Sequence, residues 1–256
     1  MTVRHIEFQG AFRRLIDLKS WDDNTVVAWL EDDNHHFGIT LVHDGSLIQD
    51  IRTATVRYPW TACPGASRPL QALIGHPLFG RCSDIGRLID MRLQCTHLFD
   101  LAGLAIAHAH DRRGHRRYHA VVCRLDALET DAPPDWRRAS LSRDGAAVMY
   151  WDLQDGRIMR PGSCAGRSVD RGFREWIEGL DEMQAEDAYV LRRAAFVANA
   201  RAIDMSEVHI AREINIPAVC HSYQPGNKWK AIRLPESRVK WDEGSGGMLS
   251  LLDTKP

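Results

Sequence analysis

Between Thr25 and Tyr58 the chain reads as three extended segments in succession. Thr25 to Leu30 is β-branched and aromatic, Glu31-Asp32-Asp33-Asn34 is turn-like, and His35 to His43 carries Phe37, Ile39 and Leu41 at alternate positions. Asp44-Gly45 then turns the chain into Ser46 to Tyr58, rich in Ile, Thr and Val. The pattern predicts an antiparallel meander. Side chains alternate across a strand, so His35 and His43 fall on the face of Phe37, Ile39 and Leu41, with His36 and Thr40 on the other. Residues 1–20 show no clear period and fit a strand or arm better than a helix. Pro59 and Pro64 end the meander. A short helix is predicted from Pro69, and Ser83 is placed to cap another over Asp84 to Asp90. The longest uncharged helical run starts near Cys95 or Thr96 and reaches His110.

The second half repeats the theme in kind. After the polar break at Asp111 to Arg117, Tyr118 to Leu125, Trp136 to Ser142 and Ala146 to Leu153 are extended, Asp144-Gly145 and Asp155-Gly156 are turns, and Arg157 to Met159 is a last short strand. Helices are predicted over Asp170 to Leu180 and Asp181 to Met205. In the latter, Met183, Ala188, Leu191, Ala194, Ala195, Ala198 and Ala202 form the apolar stripe of a core helix. The expectation is one α+β domain over 1–243, strand-rich at 1–60 and 116–160, helical at 65–110 and 170–214. Antiparallel strands from two meanders, as one larger sheet or as two sheets, pack on a few long helices, and 244–256 forms a mobile tail. No residue-level repeat marks a duplication.

Composition narrows the classes. A chain of 256 residues, 44% hydrophobic, can bury a large core without disulfide or metal staples. With 33 Lys plus Arg against 34 Asp plus Glu, no global field favours nucleic acid or an anionic membrane. Met1 to Gln9 has no signal-type apolar region and no run is long enough to span a bilayer, so a soluble cytoplasmic protein is expected. The six cysteines, with no Cys-x-x-Cys pair, read as reduced thiols. Phosphate-loop, dinucleotide, nucleophile-elbow and zincin motifs are absent, and no cofactor is expected.

Three constellations carry chemistry. At Cys95-Thr96-His97 a helix start would aim free backbone N–H groups at the thiol and favour the thiolate, with His97 as acid or base and Thr96 orienting it. A buried small Cys, a Thr cap and a hydrogen-bonded His is the competing account. His43-Asp44 is a second, where Asp44 is equally explained by the hairpin turn. Arg57-Tyr58-Pro59-Trp60 with Cys63 is a third, offering an anion clamp, a phenol and a stacking surface for an aromatic or carboxylated ligand. His97 and His108 share a helix face but lie roughly 16 Å apart, too far to share one ion.

Cys95-Thr96-His97-Leu98 followed by Asp100-Leu101 resembles a bacterial family of unknown function, DUF2889. His35-His36, His43-Asp44-Gly45, Pro59, Cys63, Tyr223-Gln224-Pro225 and Arg233 add to the resemblance, which runs from about His5 to Asp242. Gln94 stands where the family leads one to expect glycine. The resemblance implies no activity, but it raises Cys95, Thr96, His97, Pro59, Cys63 and His43 above equally placed residues. The expected function is a cofactor-independent catabolic lyase or hydro-lyase. His97 is its acid or base, assisted by Cys95, Thr96 and His43, and Arg57, Tyr58, Trp60 and Cys63 hold a small substrate. The rivals are a Zn or Fe enzyme with His97, Cys95, Cys63 and His43 as ligands, a Cys-dependent hydrolase, and a non-catalytic binding protein. The partner expected is a small molecule, with homo-oligomers left open.

Overall fold

The period-2 segments become strands and pair with their neighbours in sequence. The computed structural model describes residues 4–242 and 244–256. Strands β1 (Ala11–Asp22), β2 (Thr25–Asp32), β3 (His36–His43) and β4 (Ile48–Arg57) form the first meander. Strands β5 (His115–Arg124), β6 (Arg137–Arg143), β7 (Ala146–Gln154) and β8 (Arg157–Arg160) form the second. They join through β1 and β5, paired antiparallel from Ala11 opposite Cys123 to Lys19 opposite His115. The result is one antiparallel sheet in the order β4-β3-β2-β1-β5-β6-β7-β8, within a single α+β domain.

The helices are α1 (Ile85–Leu88), α2 (Thr96–His110), α3 (Phe173–Glu178) and α4 (Glu182–Ala198). Helix α2 lies over β2 and β3, and α4 over β5, β6 and β7. Each meander is thus followed in sequence by the long helix that covers it. The architecture repeats where the residues do not.

Every residue of α2 from Thr96 to Ala109 is buried, which accounts for its uncharged run after Asp100. Its close approach to the segment before α1 depends on Gly103, where a Cβ would sit 2.4 Å from the Cys82 carbonyl oxygen. The single charge inside the helix, Asp100, is matched by α4: Tyr189 donates its hydroxyl to Oδ1 at 2.6 Å and Arg193 binds both carboxylate oxygens. A buried acid is retained here because a cation and a phenol from the facing helix satisfy it.

Parity holds as the alternation predicts. Phe37, Ile39 and Leu41 are fully buried beneath α2, while Trp29, Val27 and Leu15 face the opposite side of the sheet. That outer side is covered by the segment 244–256, for which the sequence suggested a mobile tail. Met248 and Leu249 are buried against Trp29, the Leu249 N–H donates to Glu31, and Trp29 Nε1 donates to the Thr254 carbonyl at 3.1 Å. Among the described residues no helix is long and apolar enough to cross a membrane.

Candidate functional site

The turn between β2 and β3 is built on one carboxylate. Asp32 Oδ1 accepts from the backbone N–H of Asn34 at 2.9 Å and of His35 at 3.0 Å, closing the turn at the residues that read as a turn in the sequence. The same oxygen lies 2.9 Å from His35 Nδ1, and Oδ2 accepts from Arg14 Nη2 of β1 at 2.5 Å. Burial alone would push the Asp32 carboxyl up, but His35 and Arg14 beside it hold it well below the usual carboxylate range. The ionised carboxylate can only accept, so His35 Nδ1 carries the proton. Whenever the ring is neutral, its one lone pair is on Nε2. The side chain of His35 keeps 11% of its surface open, whereas Asp32 and Arg14 have essentially none.

The neighbouring residues clamp this turn. Arg57 from the end of β4 donates to the backbone carbonyls of Asp32 (2.6 Å), Asp33 (2.8 Å) and Ser237 (2.6 Å), and to Glu31 Oε1 (2.9 Å). Arg201 binds Asp33 through two nitrogens, at 2.6 and 3.0 Å, and also reaches Asp242 and the Gln9 carbonyl. The Val239 N–H closes on the Asp33 carbonyl at 2.8 Å. A side chain mounted on such a turn has little freedom to drift.

His97, second residue of α2, completes the group. Its ring stacks on that of His35 with centroids 3.7 Å apart and planes 27° from parallel, over Phe37. Its Nδ1 is 3.6 Å from Cys95 Sγ, and its Nε2 is buried with no hydrogen-bond partner among the described residues. Burial, then the charges of His35 and Arg14, push His97 well below its ordinary pKa, so the ring is neutral. Cys95 stands at the helix start, but burial drives its thiol up, away from the activated thiolate expected from the helix terminus.

The other predicted residues are distributed as follows. Thr96 is buried in the first turn of α2 beside His97. Cys63 is buried with Sγ 3.4 Å from Ser222 Oγ, and burial raises its thiol to about 11. Trp60 is buried edge-on against Tyr223 in a small second core with Val208, Ala211, Ile214 and Ala231, and half-buried Tyr58 packs at its border. Arg57 is spent on the turn. His43 lies at the opposite end of β3 from His35, about 25 Å away at strand rise, where Nδ1 accepts the Gly45 N–H. The structure therefore brings His97, Cys95 and Thr96 to one place. It adds Asp32, His35 and Arg14, leaves His43 outside, and gives Arg57 and Trp60 structural partners. The Asp-x-x-His spacing at 32 and 35 is the signal that could have found the pair.

Among the described residues, Asp32, His35 and His97 are also the one group of three metal-ligand types whose donor atoms all lie within 4.8 Å of one another. As arranged, the fit to an ion is poor. Ring-nitrogen lone pairs lie in the ring planes, and two nearly parallel stacked rings do not converge on a point about 2.0–2.1 Å from each. Asp32 is already saturated by four donors. The arrangement suits a carboxylate that orients a histidine whose other nitrogen is available for proton transfer.

Residues 13–110, which hold the whole of this cluster, match the family model described as "Protein of unknown function (DUF2889)". The family resemblance carried by Cys95-Thr96-His97-Leu98 is thereby confirmed. No curated protein matches the chain.

Proposed function

With the DUF2889 match of residues 13–110 as the starting point, we propose that the protein is an acid–base enzyme in which His35, held by Asp32, is the proton-transfer group. The observation that carries the reading is the Asp32 Oδ1 to His35 Nδ1 contact of 2.9 Å, which leaves Nε2 as the basic atom. Arg14 keeps Asp32 ionised and in place. His97 presents a neutral ring against His35, and its unpartnered Nε2 is suited to relay a proton or accept a substrate hydrogen bond. The reaction class is that of a lyase or hydro-lyase acting on a small aromatic or carboxylated substrate. His35 Nε2 takes a proton from the carbon next to the activating group, and the leaving group departs with a proton returned to it.

The test is exchange in deuterated water. Metal-stripped protein is incubated with a panel of aromatic and hydroxylated carboxylic acids, and deuterium gain or water loss is read by mass spectrometry. Turnover is expected to fall about 10²–10⁴-fold in His35→Gln, the range typical of a lost general base. Turnover undiminished in that variant sinks the assignment.

A second reading, a mononuclear metal enzyme, is favoured by the convergence of Asp32, His35 and His97 donors. It requires one ring to rotate out of the stack. Untagged protein carrying one equivalent of Zn or Fe, and losing turnover with it, would put this reading first.

A further inference from the structure

On the other side of the first turns of α2 lies a groove of about 680 Å³, within the range of small-molecule sites. Phe99 of α2, Ile89 and Met91 after α1, Phe173 and Ile177 of α3, and Tyr189, Arg192 and Arg193 of α4 form its walls. Apolar and charged side chains alternate around that lining, and its cations differ in how they are satisfied. Arg193 is bound to Asp100, Arg92 to Asp90, Arg87 to Asp84, and Arg174 to Glu178. Arg192 has no ion pair among the described residues. Its Nε donates to the Val169 carbonyl at 2.5 Å, and its two Nη groups reach no acceptor among those residues.

The guanidinium lies 4.8 Å from the Phe173 ring centroid and 4.9 Å from that of Phe196, so aromatic faces fix its plane while the terminal nitrogens stay free. Burial, and the Arg193 charge next to it, push Arg192 below its ordinary pKa, which is the electrostatic deficit a bound anion would relieve.

We propose that this groove binds a small organic carboxylate, with its anionic group in a two-point hydrogen bond to Arg192 and its apolar body against Phe99, Met91 and Phe173. A planar fork in the wall of a cavity, with both Nη groups without an acceptor among the described residues, matches a carboxylate in geometry. One unpaired cation matches one negative charge. Asp170 and Glu175, which also line the groove, disfavour a dianion such as phosphate. The site does not depend on the role given to His35, because it is read by binding and not by turnover.

The full-length protein is titrated with phenylacetate, its neutral isostere phenylacetamide, and inorganic phosphate. Binding is followed by calorimetry and by intrinsic tryptophan fluorescence, to which Trp176, edge-on against Phe173 at 5.4 Å, contributes. Saturable binding of phenylacetate, with the amide and phosphate about tenfold or more weaker, is the expected result. Arg192→Met is expected to weaken phenylacetate about tenfold or more, the worth of a charge-assisted pair, and Arg192→Lys to restore part of it. Equal affinity for acid and amide, tighter binding of phosphate, or affinity unchanged in a folded Arg192→Met protein would each overturn the proposal. So would the absence of saturable phenylacetate binding. The acid–amide comparison needs no variant, so it decides even if the substitution prevents folding.

Discussion

Asp32 closes the β2–β3 turn and holds His35 with the same carboxylate, and this double use explains what the sequence hid. An Asp before Asn and His is what a tight turn asks for, so its chemistry is invisible until Arg14 and His97 are seen beside it. Arg14 was equally hidden, in an N-terminal stretch without a readable period. Arg57 erred the other way: a guanidinium at a strand end looks like an anion clamp, and only the fold shows that the carbonyls of Asp32, Asp33 and Ser237 occupy it. His97, by contrast, was readable as a candidate because it stands at the start of the most apolar helix, and the fold brings it against His35. The pKa shifts give a stability signature. His36, His43, His97, His108 and His119 are all pushed below the ordinary histidine value by burial, His108 to about 4. Below about pH 6.5 the unfolded chain takes up protons that the folded one does not, so stability falls as pH drops. Asp32, depressed in the fold, adds its own loss only lower, as pH falls from about 4 toward its folded value. Urea denaturation between pH 7 and 5 is expected to show this limb. In His97→Gln the slope should shrink by up to about 1.4 kcal/mol per pH unit, one proton's worth. An unchanged slope would mean that His97 titrates normally.

At the level of elements, the β-branched and aromatic content of β2, the alternation of β3 and the turn signals at Asp44-Gly45 and Asp144-Gly145 placed the strands within a few residues, because strand composition, period 2 and turn chemistry are local. The packing of α2 was not local. It rests on Gly103, which reads as an unremarkable helix residue but lets the helix lie against the backbone at Cys82. An added methyl meets a carbonyl oxygen there, which cannot swing aside as a side chain would. Gly103→Ala is therefore expected to destabilise the protein by about 1–3 kcal/mol in spite of the better helix propensity of alanine. A denaturation midpoint equal to or above that of the parent would show that the helix has room to move. Asp100 was visible only as a helix residue, and its buried partners Tyr189 and Arg193 come from about ninety positions away.

For the whole molecule, the antiparallel α+β class and the two meanders were readable. The choice between one larger sheet and two was not, since nothing in β1 or β5 names the other as its neighbour. The segment 244–256 was obscured in the same way: its Gly-rich start suggests mobility, and only the outer face of the sheet at Trp29 shows what Met248 and Leu249 cover. The seam between β1 and β5 joins stretches about a hundred residues apart, whereas every other strand pair in the sheet links sequence neighbours. That difference sets an order of assembly. Hairpin contacts close short loops quickly, and a pairing across a long loop must first overcome a larger entropy. In pulse-labelled hydrogen exchange during refolding, amides within each meander are expected to gain protection before those exchanged between β1 and β5. Simultaneous protection would mean one nucleus for the whole sheet. On the ribosome the first meander and α2, which carry Asp32, His35 and His97, emerge before the strand that will border them has been made, and Arg201, Ser237 and Val239 close on the turn only afterwards.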